Sequence, residues 1–385
     1  MVPARTRGDI APLTGLRFVA AMLVVLHHYP VPGASGTAAT MMQAGYFGVT
    51  LFFVLSGFVL AYTYAEALSE APRATLRRFA VARFARIYPV YLAILLYLWI
   101  RSAFDGPVVL HALLLQAWHP DARVAFALNG PGWSISVEAF LYACFPLLVI
   151  AFGRGGVFES GARMGVVLAG VVAAMIALAV FFEVTGRNVA GLEPGSAHRW
   201  LYRSPVARLG DFVLGMLAAA YYARYRAHVG ARRRQWALVT LGAIAVIVAF
   251  MAMPSNIDST WSWDVLYALP GVALIAGLAC APAAPVARVL AWPLVVLLGQ
   301  SSYCLYLLQA PANELRLALA AYAGGGRVAH AVFVVLLVAM SVALHLALER
   351  PLQRALRGAW ERRRARSQSH SIIDAMRSDR GSKTR

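Results

Sequence analysis

The sequence predicts an all-α, polytopic integral membrane protein with about ten transmembrane helices, one short re-entrant or interfacial helix, and both termini in the cytoplasm. Three observations carry this. Of 385 residues, 60% are hydrophobic and only 14% charged, against about 45–50% and 25% in soluble domains. The mean hydropathy is +0.65. Apolar runs of the length a bilayer demands, about 20 residues, recur along the chain. This composition excludes a soluble globular enzyme, a disordered regulator and a small disulfide scaffold. The three cysteines, Cys144, Cys280 and Cys304, all lie in apolar stretches, so no disulfide framework is implied.

The expected spans are 14–30, 44–65, 84–100, 133–153, 164–183, 206–223, 235–254, 264–281, 291–311 and 328–348. The first run contains Arg17, His27 and His28 and is closed by no small-x-small site, so it reads as a retained span and not a cleaved signal peptide. The apolar run 108–118 is too short to cross and accounts for the re-entrant or interfacial helix. Connection 67–83 carries Arg73, Arg77 and Arg78, and 224–234 carries five arginines, whereas 31–43 and 254–263 carry no Lys or Arg. Positive charge stays on the cytoplasmic side, which demands an even number of spans. The loop 185–205 runs against this rule, because it holds three arginines yet falls outside. Residues 1–355 form one membrane domain, and 356–385 a basic cytoplasmic tail expected to be disordered. From Arg350 to Arg385 there are eleven Lys/Arg and three Asp/Glu. The net charge of +18 therefore reads as cytoplasmic flank and contact with anionic lipid, not as nucleic-acid binding.

Ionisable residues inside spans are costly, roughly 2.5–3.5 kcal/mol each, and so point to function. Arg17 and His28 share the first span. Eleven residues turn a helix by about 1100°, which puts both on one face about 16 Å apart, with His27 offset by about 100°. The plainer alternative is a snorkelling Arg17 and an interfacial His28. Glu138 lies just inside the fourth span at a depth similar to His28; a His–Glu pair would provide a base with an orienting acid, and a structural pair with an arginine such as Arg208 is the alternative. Arg83 and Arg86, with Arg77 and Arg78, make a cationic patch at the cytoplasmic mouth of the third span. Guanidinium forks suit phosphate, although ordinary cytoplasmic charge bias explains several of them. Ser56-Gly57 and Ser301-Ser302 read first as close helix packing.

In order and spacing these segments resemble the acyltransferase family 3 membrane proteins. TGLRFVAAMLVVLHH resembles the opening Arg-x10-His motif (Arg17, His28), GVTLFFVLSG the FFxxSG segment, and RFARIYP the Arg-x-x-Arg loop (Arg83, Arg86). GPGWSISVEAFLY resembles the Trp-Ser-x-x-x-Glu segment ending at Glu138, and RLGDFVLGM and LERP also have counterparts. The resemblance covers about residues 10–355. It implies a multi-pass protein of the cell (inner) membrane, in a stand-alone form without a fused hydrolase-like domain. Such a protein moves an acyl group, often acetyl, from cytoplasmic acyl-CoA to a hydroxyl. Family acceptors include surface and lipid-linked sugars and macrolides. Acyl-CoA is then a donor substrate, no cofactor is bound permanently, and no metal is used. The implied donor residues are Arg83, Arg86 and Arg17; the implied catalytic residues are His28, Glu138 and Arg17. Where SSYCLYLLQ resembles a family stretch often ending in His, this chain has Gln309. A transporter or flippase for a polar or lipid-linked substrate is the alternative function, and a non-catalytic membrane scaffold a third. Neither calls for covalent acylation that depends on His28.

Overall fold

The computed structural model describes residues 10–102, 106–188, 191–229 and 232–362, with only the backbone of 226–229. Every regular element among them is helical. Helix α1 (Ala11–His28) opens the bundle. A short α2 (Gly36–Gln43) and a 3-10 turn lead into α3 (Phe47–Glu70), and α4 (Pro72–Arg101) follows after one residue. The basic connection expected at 67–83 is therefore mostly helix, and Arg77, Arg78, Arg83 and Arg86 all ride on α4.

The 108–118 run does not form one helix. It folds as α5 (Val108–Ala112), then Leu114 at φ 58°, then a 3-10 turn at Gln116–Trp118. The left-handed turn is held from outside: Ser136 donates to the Leu114 carbonyl at 2.6 Å, and the Gln116 amide donates to the Gly132 carbonyl at 2.8 Å. The segment packs against the helix that follows and forms no helix long enough to cross a membrane.

The chain continues through α6 (Ala122–Ala125), α7 (Trp133–Arg154), α8 (Gly161–Val184), α9 (Leu209–Val229) and α10 (Arg233–Met251). It closes with α11 (Thr260–Trp263), α12 (Ala268–Cys280), α13 (Pro285–Leu290), α14 (Pro293–Gln300), α15 (Ser302–Leu308), α16 (Asn313–Ala323) and α17 (Arg327–Leu344). Eight helical stretches among the described residues are long and apolar enough to cross a membrane. The expected span 291–311 is broken at Ser301 into α14 and α15. α16 fills a stretch read only as a connection, and it stops at Gly324, whose φ of 74° ends the helix in the usual left-handed way. After α17 a π-helical turn at His345–Glu349 leads into helix that runs to Arg362. The boundary drawn at 355 falls inside this helix, and residues 363–385 of the tail lie outside the described residues.

Backbone contact at glycine draws the core helices together. A Cβ on Gly57 would strike the Phe212 carbonyl, and one on Gly215 would strike the Val54 carbonyl, so α3 and α9 touch through both glycines. Lipid-facing helices gain little from hydrophobicity and associate through such close contact. In the small pair Ser56-Gly57, Gly57 provides the expected close packing, and Ser56 lines a cavity.

Candidate active site

α1 runs beside a series of cavities, and its polar residues open onto them. At one end lies a vestibule of about 450 Å³ that includes Arg17, Arg78, Arg83, Arg86, Arg350 and Arg357 in its lining. Next to it a narrow inner cavity of about 50 Å³ is bordered by Arg17, Ser56, Arg86, Glu138, Tyr142 and Tyr306. Arg17 and Arg86 border both. Beyond the last turn of α1, His28 borders a third, polar cavity of about 370 Å³.

Two of these arginines, Arg83 and Arg86, are held by their surroundings. The Arg83 guanidinium sits over the rings of Tyr64 and Tyr142, 5.7 and 5.6 Å from their centroids, an arrangement that holds a cation without neutralising it. Arg86 lies 5.5 Å over Tyr303 and is ion-paired with Glu349. Glu349 is buried at the end of the π-helical turn. It accepts from the His345 ring at 2.7 Å, from Cys304 at 3.2 Å and from Gln353 at 2.9 Å. This network fixes where the Arg86 fork sits.

Glu138 accepts hydrogen bonds from Ser56 Oγ at 3.0 Å and from the Tyr142 hydroxyl. His28 Nδ1 lies 2.7 Å from Gln309 Oε1, and Tyr29 donates to the Gln309 carbonyl. The expected pairing of His28 with Glu138 is thus not made: α7 aims Glu138 at α3 and into the inner cavity, while the partner of His28 comes from the end of α15. The alternative pairing of Glu138 with Arg208 is not made either. Arg208 pairs with Asp211 at 2.8 Å, both buried, inside the RLGDF segment. His27 faces away, as the helical angle requires, with Nδ1 2.7 Å from the Gln43 carbonyl.

Sequence reasoning missed Tyr142, Tyr303, His345 and Glu349. The spacing of His345 and Glu349, four apart near the LERP segment, was the available signal, since i and i+4 side chains share a helix face. No cluster of three or more potential metal ligands occurs among the described residues.

The arrangement presents cations at one end, a carboxylate in the middle and a histidine with a bound ring nitrogen at the other end. Such a series can hold an anionic donor, admit its reactive arm and remove a proton at the far side.

A family model described as an acyltransferase domain matches residues 10–350. Acyltransferase MdmB of Streptomyces mycarofaciens is 32% identical over 230 residues, which are 54% of this chain and 56% of that protein. Peptidoglycan O-acetyltransferase OatA of Listeria monocytogenes is 26% identical over 164 residues, 38% of this chain and 25% of that one. The similarity thus spans about half the length of the first relative and a quarter of the second. No solved structure matches at a significant level.

Proposed function

The chain belongs to the acyltransferase family 3 proteins, and from that premise we propose that it moves an acyl group, acetyl foremost, from cytoplasmic acyl-CoA to a hydroxyl of a carbohydrate acceptor. The observation that carries this reading is the shared border of Arg17 and Arg86. They join a vestibule rich in arginine to an inner cavity that holds a carboxylate. In the proposed topology both termini are cytoplasmic in the cell (inner) membrane, and the ten crossings include the broken α14–α15 pair. The basic face of α4 and the arginines after α17 support this orientation.

On this reading the CoA phosphates dock among Arg78, Arg83, Arg86, Arg350 and Arg357, where guanidinium forks match phosphate oxygens. The acyl-bearing arm passes Arg17 into the inner cavity. Arg17 lines that route and steadies the donor on it, and the acyl end reaches on toward His28. Gln309 Oε1 can only accept a hydrogen bond, so His28 keeps its hydrogen on Nδ1 and presents Nε2 as base. Nε2 takes the acceptor hydroxyl proton as that oxygen bonds to the acyl carbon. The carbon–sulfur bond then breaks, and the sulfur takes the proton back from the imidazolium. The products are an O-acyl ester and free CoA thiol. Glu138, held by Ser56 and Tyr142, sets the charge of the inner cavity beside Arg17.

The test is thiol release from acetyl-CoA by the protein in nanodiscs, with and without a surface-glycan extract. Release that depends on the extract supports acyl transfer. No release by folded protein, across several acyl lengths and extracts, would leave transport as the better account of the same cavities.

A further inference from the structure

Apart from His28, the third cavity is built by parts of the chain that none of the quoted motifs covers. The turn after α1, the start of α16 and the start of α17 enclose it, and its lining includes His28, Tyr29, Asn313, Arg316 and His330. Its volume of about 370 Å³ lies at the small end of the range for small-molecule sites, about 300–1,000 Å³. Among the described residues its polar lining is basic or neutral, and no carboxylate borders it.

The charge is positioned. Arg316 Nε donates to Asn313 Oδ1 at 3.0 Å, and the guanidinium lies 5.7 Å over the Tyr29 ring. With Nε engaged and one face stacked, the two terminal nitrogens remain as a fork for a ligand. On the opposite side Arg327 pins the Pro32 and Gly33 carbonyls at 3.2 and 3.3 Å and so fixes the turn that forms the wall. His330, half-buried, borders the same space and packs against Phe333, which also packs on Tyr29. A cationic cavity without an acid, opening on the proposed catalytic base, selects by charge complementarity.

We propose that this cavity is the acceptor site and that its ligand is a carbohydrate bearing an anionic group, carboxylate or phosphate, which the Arg316 fork grips while a neighbouring hydroxyl faces His28. This rests on the acyl-transfer reading above. Asn313 and His330 complete the set of hydrogen-bond donors and acceptors around the sugar.

The experiment measures acetyl transfer from acetyl-CoA to three probes by the protein in nanodiscs, with product detected by mass spectrometry. The probes are methyl glucoside, methyl glucuronide and methyl glucoside 6-phosphate, with a surface-glycan extract as the positive control. The expected result is a kcat/KM at least tenfold higher for an anionic probe than for methyl glucoside. Arg316→Met erases that preference through KM for the anionic probe, and Arg316→Lys restores part of it. The carboxylate and phosphate arms identify which anion is recognised. Equal use of the neutral probe, an anionic preference that survives Arg316→Met, or acetylation confined to the neutral fraction of the extract would overturn the acceptor proposal and leave acyl transfer standing. Absence of any acetylated product from the extract would instead count against the acyl-transfer reading, and the acceptor proposal would fall with it.

Discussion

His28 Nδ1 and Gln309 Oε1 lie 2.7 Å apart, joining residues 281 positions distant in the chain. Gln309 is buried, and its backbone carbonyl is gripped by Tyr29. The amide therefore fixes the ring of His28 in the way a carboxylate does elsewhere, without its charge. Gln309→Leu is expected to lower kcat by roughly 5–150-fold, the range for losing a buried hydrogen bond. Gln309→Glu keeps an acceptor opposite Nδ1 and is expected to retain most of the turnover. Steady-state kinetics on both variants checks this; equal loss in the two would show that accepting from Nδ1 is not what Gln309 does.

Arg17 and Arg86 stand at the junction of two cavities. If two-pronged recognition matters there, Arg86→Lys raises KM for acetyl-CoA by about tenfold or more, since lysine offers a point charge in place of a fork. Arg17→Lys, on the donor's route, is expected to raise KM for acetyl-CoA in the same way. Near-wild-type constants in both variants would remove the fork argument.

Glu349 is buried and binds Arg86, His345, Cys304 and Gln353. Removing one partner of a buried ion pair strands the other charge, at a cost of about 3–5 kcal/mol. Glu349→Ala is expected to lower the melting temperature in detergent and to raise KM for acetyl-CoA. Glu349→Gln retains hydrogen bonding and recovers part of the stability. A melting curve unchanged in Glu349→Ala would show that the network holds nothing together.

His198 sits in the 185–205 loop. Burial, followed by Arg203, Arg208 and His27, pushes it down to about 3 from its ordinary 6.5. A histidine depressed in the folded state is neutral there, while the unfolded chain binds a proton below about 6.5. Its contribution is complete above pH 6.5 and is lost as pH falls from 6.5 toward 3, amounting to about 2 kcal/mol at pH 5. His198→Phe is expected to flatten the acid side of a stability-against-pH curve. A curve with the same acid slope as wild type would contradict this.

The helical architecture was legible because apolar run length and loop charge are local properties. Arg17 and His28 were placed on one face by the helical angle alone, and His27 was correctly turned away. Glu138 was singled out because charge in an apolar run needs a reason, and Arg86 as part of a cationic patch suited to phosphate; they do border one cavity. What the sequence did not carry was pairing across the bundle. The depth match between His28 and Glu138 suggested a contact, yet depth says nothing about rotation, and α7 turns Glu138 toward Ser56 and Tyr142. Arg208 found its acid three residues away in Asp211, which a local reading of RLGDF could have favoured. The break of 291–311 at Ser301 and the turn at Leu114 depend on neighbouring segments holding the backbone, so hydropathy passed over both. α16 was missed because its eleven residues are too few to register as a span.

The most direct test of the account compares wild type with His28→Ala in nanodiscs, measuring acetyl-CoA binding by calorimetry alongside transfer of radiolabelled acetyl to the acceptor extract. The account places His28 away from the arginine vestibule, so the variant is expected to bind acetyl-CoA within about twofold of wild type while transfer falls by about 10²–10⁴, the usual worth of a positioned base. Transfer within tenfold of wild type by a well-folded His28→Ala protein would contradict the assignment of His28 as the base.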